Sequence, residues 1–353
     1  MPGSAATDPA ARTVSSETED RSLVFGPAFA GGGVVWNDSS GDPGPLALRR
    51  QTPQGPSLVS AEAHLLAASA GALVFLEQRK LRVGPPGGPF VPLRLRRGCR
   101  SERGVSVDAR GSLVAFPDCP DAGARPVVYD VRTGRRTVLG FGVVGRSCCT
   151  EVQVAGRFVA WADWPGTGDV TVYDRQQKRV RYRARVSSWS FDLQEDGKIA
   201  AVVRGRPRSV FETIVWFSPA EPRSHPLRFI RSRGYDFDRN IRLADDRVAA
   251  VAAQGTNGYR GELVVLGLDG SRRPIARFQS THERHQLDGG FDFDGERIVW
   301  GSKTVVDRRI VCDDWGCATA TSGTWRIRLQ HLRSPSKPRT VVSVSFRSGP
   351  RSS

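Results

Sequence analysis

Lysine is almost missing from this chain. It occurs five times in 353 residues (Lys80, Lys178, Lys198, Lys303 and Lys337), so 47 of the 52 basic residues are arginine. Codon usage in a GC-rich genome produces that skew, which halves the weight of the +16 net charge as a sign of an anionic ligand. No apolar run approaches the ~20 residues of a membrane-spanning helix, and helical periodicity is nowhere sustained. There is no Walker sequence, no Gly-x-Ser-x-Gly and no His-Glu-x-x-His, which removes three common catalytic classes. "GFGVVG" (140–145) fits the Gly-x-Gly-x-x-Gly pattern, but that pattern holds a pyrophosphate only where a helix follows it. "RSCCTEVQV" cannot make that helix, so the glycines read as turn and bulge residues. The first 21 residues lack a basic n-region and an apolar h-region, so they read as a disordered tail and not as a secretory signal.

What is present is repetition. A glycine, a variable residue and four mostly apolar residues recur as GGGVVW (31–36), GALVFL (71–76), GSLVAF (111–116), GRFVAW (156–161), GKIAAV (197–202), DRVAAV (246–251) and GERIVW (295–300). Their spacing of 40 to 49 residues is that of a four-stranded propeller blade. The tetrads are rich in β-branched and aromatic residues, as strands buried on both faces require. Short segments such as VSV (105–107), VQV (152–154), FDL (191–193), IRL (241–243) and FDF (291–293) precede them through tight turns, giving innermost strands. Arginine-rich outer strands follow, and VVSVSF (341–346) is the last of these. Asp130 and Asp174 sit where a carboxylate bonds a turn backbone. The expected architecture is all-β: one seven-bladed β-propeller of four-stranded antiparallel blades over residues 22–346, with flexible tails at 1–21 and 347–353. Blade 1 should close against the last outer strand.

"DARGSLVAFPD", "EDGKIAAVV" and "DGERIVWGS", followed by "VVYDVRTG" and "VTVYDRQQ", resemble the strand-and-turn units of TolB-type and WD-repeat-like β-propellers. The resemblance spans most of residues 24–346. It implies a rigid, non-catalytic platform for binding partners in the cell envelope.

In such a blade the first-to-second and third-to-fourth turns share one face; the second-to-third loops and the links between blades share the other. The first set is expected to be tight and the second long. All six cysteines fall on the loop face: Cys99, Cys148 and Cys149 in links, and Cys119, Cys312 and Cys317 in loops. Adjacent cysteines do not readily bond each other. Cys148 and Cys149 could therefore each tie to Cys99 or Cys119, in either combination, while Cys312 and Cys317 could close a turn. For the four cysteines over blades 3 and 4, free thiols and a zinc site are the alternatives. An even cysteine count suits an oxidising compartment, so an extracytoplasmic location is expected, with the signal outside this chain; the alternative is cytoplasmic.

The same face collects Arg94, Arg96, Arg97, Arg100, Arg103, Arg204, Arg206, Arg208, Arg231 and Arg233, with Trp164, Trp189, Trp315 and Tyr259, and with Asp313 and Asp314. Arginine beside aromatics is hot-spot composition, and guanidinium groups suit carboxylate or phosphate partners. His282, His285 and Asp288 are weak candidates for a metal. Asp192 and Asp292 repeat in the innermost strands, where they could line the channel or bond neighbouring blades. On the opposite face Arg135 and Arg136 should tolerate substitution. Together these features point to a monomeric binding propeller without a cofactor, recognising a protein or acidic polymer through its loop face. No nucleic-acid reader motif accompanies the charge. The alternative is a polysaccharide lyase or glycoside hydrolase acting at the channel mouth.

Overall fold

The computed structural model describes residues 26–39, 46–78, 80–93, 104–118, 125–139, 151–162, 169–186, 191–204, 211–231, 241–254, 260–279, 286–313, 316–334 and 337–348. Within them the chain forms seven four-stranded antiparallel sheets and no helix. Each sheet is one blade built from contiguous sequence, and strand order in space follows strand order in the chain. The seven repeated tetrads are the second strands, among them Gly33–Ser39, Leu113–Asp118, Phe158–Ala162 and Arg297–Asp313.

Alternation along these second strands explains the ring. In blade 1, Val34 and Trp36 face blade 7 while Val35 faces blade 2. In blade 7, Ile298 and Trp300 face blade 6 while Val299 faces blade 1. Successive side chains of a strand point to opposite faces, so a tetrad apolar at every position glues a blade to both neighbours. The buried apolar residues accordingly divide into seven clusters, one in each gap between blades. Trp36, Trp161 and Trp300, the three terminal tryptophans of the repeats, are among the largest fully enclosed or nearly enclosed side chains.

The ring closes as expected, by packing of blade 1 on blade 7. Phe29, Val34 and Trp36 meet Trp325, Ile327, Leu329 and Val342, the last from the outermost strand Arg339–Ser348. Among the described residues no strand crosses from one end of the chain into the other end's sheet. Asp130 and Asp174 hold their turns: Asp130 accepts from the Thr133 amide (2.8 Å), and Asp174 from the Gln176 and Gln177 amides (2.9 and 3.0 Å).

Three expectations need correction. The second-to-third connection of blade 2 is not long: Glu77 pairs with Lys80, and Gln78 takes up a positive φ of 47° in the tight turn between them. Residues 301–324 are not a loop either. They continue the strands Arg297–Asp313 and Gly316–His331, which stay paired to the end. Their β-branched content favours strand. Third, Arg136 is no idle surface residue, because its guanidinium pairs at 2.7 Å with the buried Asp118 carboxylate.

Candidate functional site

The described residues that concentrate ionisable chemistry line the central channel. Gln153, Asp192, Arg242 and Asp292 occupy the middle positions of VQV, FDL, IRL and FDF. Each lies between buried apolar neighbours and is itself partly exposed, so the strand alternation that sends the neighbours into the blade gaps sends these four toward the axis.

The carboxylates stitch blade to blade. Asp192 accepts the Leu243 amide at 2.7 Å, linking blade 5 to blade 6. Asp292 accepts the Phe29 amide at 2.9 Å, linking blade 7 to blade 1. Ser106 does the same for Val154 between blades 3 and 4, at 2.9 Å. Asn37 joins blade 1 to blade 2 from the second strand: its Nδ2 donates to Ala63 O (2.6 Å) and its Oδ1 accepts from the Leu65 amide (2.8 Å). These amides sit at the innermost edge of each sheet, where an unmatched donor would be costly. The expected interblade role of Asp192 and Asp292 is thus what the structure contains.

Two further residues complete the cluster. Arg242 Nε donates to Asp292 Oδ1 at 3.1 Å, and Gln153 Nε2 donates to Glu151 Oε1 at 2.8 Å. Burial pushes the Glu151 carboxyl up to about 7, with the Asp192 charge adding to the effect and Gln153 and Arg242 opposing it. Burial likewise pushes Asp192 up to about 6, against the attraction of Arg242 and the bonds from the Leu243 and Leu193 amides. Burial acts to lower Arg242, but Asp292 and then Asp192 outweigh it and hold the guanidinium charged. Among the described residues the channel thus brings together a guanidinium held charged, the Asp292 carboxyl bonded to it, and two carboxyls whose protons burial holds more tightly than usual. Sequence reasoning found the two aspartates and missed Glu151 and Arg242. Among the described residues no group of three or more His, Cys, Asp or Glu side chains is arranged to hold a metal.

Of the loop-face candidates, Arg204 ends a second strand opposite Glu212, and Arg231 ends an outermost strand opposite Phe211. Asp313 pairs in register with Gly316, and Cys312 with Cys317. Asp288 lies in the bulge of the innermost strand Gln286–Phe293, where pairing jumps from Leu287 to Phe291. Arg94, Arg96, Arg97, Arg100, Arg103, Trp164, Trp189, Arg206, Arg208, Arg233, Tyr259, Asp314, Trp315, His282 and His285 lie outside the described residues. So do Cys99, Cys119, Cys148, Cys149 and the "GFGVVG" segment. On the opposite face an open groove of about 730 Å³ follows the seam between blades 1 and 7, lined in part by Phe29, Gln51, Arg297 and Arg339. Arg297 there is held by Asp294 (2.7 Å) and lies over the Phe29 ring at 4.6 Å.

No family model matches the chain, and no curated protein matches it. Solved structures do. The β-propeller domain of Cps50 (Swd1) from Myceliophteria thermophila matches 83% of this chain and 96% of its own, at 12% identity and a TM-score of 0.51. The likeness is one of fold. TolB from Acinetobacter baumannii matches 70% of this chain at 15% identity and a TM-score of 0.47, and the chain spans 60% of that protein's length. An oligogalacturonate lyase solved with manganese matches 80% of this chain and 86% of its own, at 10% identity and a TM-score of 0.49. At the level of architecture the propeller resemblance read from the strand-and-turn units thus stands.

Proposed function

We propose that this chain is a non-catalytic, extracytoplasmic binding propeller that recognises a protein or an acidic polymer through its loop face. The observation that supports it most is the length of the blade-7 hairpin. Its two strands have 17 and 16 residues, whereas second and third strands elsewhere have five to eight. Beyond Lys303 the excess amounts to roughly 30 Å of strand at ~3.4 Å per residue. It extends on the side of the second-to-third connections, the side on which the sequence leads one to expect the arginine-rich links. A protruding arm is a binding geometry, and blade packing does not require it. Among the described residues no helix is long and apolar enough to cross a membrane.

The test removes the arm and keeps the ring. Residues 304–324 are replaced by Asn-Gly, the preferred two-residue hairpin turn, and retention on heparin and pectate resins and capture of envelope proteins are measured. Loss of binding with an unchanged melting temperature supports the reading. Full retention and capture by the armless ring would reject it.

A second reading is favoured by Glu151 and Asp192. Carboxyls that keep a proton near neutrality are suited to general acid–base work, so a lyase or hydrolase acting on acidic polysaccharide at the channel mouth is the alternative. Release of unsaturated or reducing ends from pectate, abolished by Glu151→Gln, would establish it.

A further inference from the structure

The sequence offers Cys312 and Cys317 only a span that a turn can close; the backbone register says how they stand. The hairpin begins with Thr304 opposite Thr324, and continued unbroken that register would set Cys312 opposite Gly316. A β-bulge intervenes, with pairing passing from Val305↔Gly323 to Asp307↔Ser322 so that the exposed Val306 has no opposite number. An extra residue on one strand shifts everything beyond it by one position. Beyond the bulge, Cys312 stands directly opposite Cys317, and Asp313 opposite Gly316.

Only two residues separate Asp313 from Gly316. In a hairpin with a two-residue turn, the pair flanking the turn exchanges both backbone hydrogen bonds. The next pair outward, Cys312 and Cys317, is then a non-hydrogen-bonded pair. Opposed Cα atoms in such pairs approach to about 4.5 Å, inside the roughly 4.4–6.8 Å that a disulfide spans. The tip also has a use for a cross-link. Among the described residues the outermost strand accompanies the hairpin as far as Thr321↔Ser348, and a two-stranded ribbon is marginally stable in water.

We infer that Cys312 and Cys317 form a cross-strand dithiol–disulfide couple that staples the tip of the blade-7 arm and follows the redox poise around it. The chemistry is exchange with a low-molecular-weight disulfide. One cysteine thiolate attacks the small disulfide, forming a mixed disulfide and expelling one small thiolate. The second cysteine thiolate attacks the protein sulfur of that bond, closing the Cys312–Cys317 bond and expelling the other. Two electrons pass to the small disulfide, and the two cysteine protons end on the two small thiols. The inference holds whatever the loop face binds.

Trypsin releases the pair on one peptide, Ile310–Arg326, which contains no other cysteine. The native protein is equilibrated in mixtures of oxidised and reduced glutathione, free thiols are blocked with an alkylating reagent, and this peptide is weighed. Under oxidising mixtures it should lack both labels and be lighter by two hydrogens; under reducing mixtures it should carry both. Cys312→Ser should leave Cys317 labelled, or bound to glutathione, at every poise. Two labels in all mixtures, or a cross-link from this peptide to one carrying Cys99, Cys119, Cys148 or Cys149, would overturn the assignment.

Discussion

Asp292 accepts the backbone amide of Phe29 across 263 residues of chain, and that bond joins the last blade to the first. Asp292 also holds Arg242 at 3.1 Å, and its side chain is only 16% exposed. Asp292→Ala leaves an amide and a guanidinium without their acceptor, so unfolding free energy should fall by about 3 kcal/mol. Asp292→Asn keeps one acceptor and should lose less than half of that. Denaturant midpoints of the two variants check the order.

The channel carboxyls predict a pH dependence of definite sign. Glu151 rises from 4.5 to about 7 and Asp192 from 3.8 to about 6 on folding. The folded state therefore binds these protons more tightly than the unfolded chain does. Their contribution to stability is fully present below the unfolded values and is lost as pH rises through the folded ones. Melting temperature should decline between about pH 4 and pH 7 and level off above that, and Glu151→Gln should flatten the upper part of that decline. A variant that melts in parallel with the parent at every pH would refute the assignment.

Gly71 and Gly111 touch where the first turns of blades 2 and 3 meet. A Cβ on Gly111 would lie 2.2 Å from the Gly71 carbonyl carbon, and its φ of +69° already disfavours other residues. Gly111→Ala should cost about 2–4 kcal/mol, since the obstruction is backbone that cannot rotate away. A fall of less than about 1 kcal/mol would mean the turns yield easily.

Arg135 and Arg136 are adjacent, yet they should behave differently. Arg135 is exposed, and its replacement by serine should stay within about 0.5 kcal/mol. Arg136→Ser removes a charged partner of the buried Asp118 and should cost about 1–2 kcal/mol, the pair being partly open to water.

Trp315 tests the arm directly. Trp315→Ala should weaken partner binding and leave the melting temperature within a few degrees, because rigid aromatics bind at low entropy cost. A large thermal loss with binding intact would make Trp315 a plug over the channel.

The ring was legible because its cause is local: a strand buried on both faces must be apolar at every position, and seven such tetrads stand out against arginine-rich surroundings. Asp192 and Asp292 were legible for a similar reason, as polar residues set in the middle of apolar triplets. Glu151 and Arg242 were not. Arg242 is one of 47 arginines, and Glu151 takes its character from burial, with the Asp192 charge adding to it, and only the assembled ring supplies either. The blade-7 arm was missed although "TVVDRRIV" and "ATATSGT" have strand composition, because the repeat length implied that a blade should end sooner. The bulge at Val306 has no sequence marker at all, and it alone decides which residue Cys312 faces.

A ring whose described strands all stay within their own blades behaves mechanically like a split washer. Tension between the two chain ends would load the contact of blades 1 and 7 first, and this gap could part while all seven sheets keep their own hydrogen bonds. Opening would expose Phe29, Trp36 and Trp325 together, so the first event under load would be the appearance of an aromatic surface, with the strands still folded.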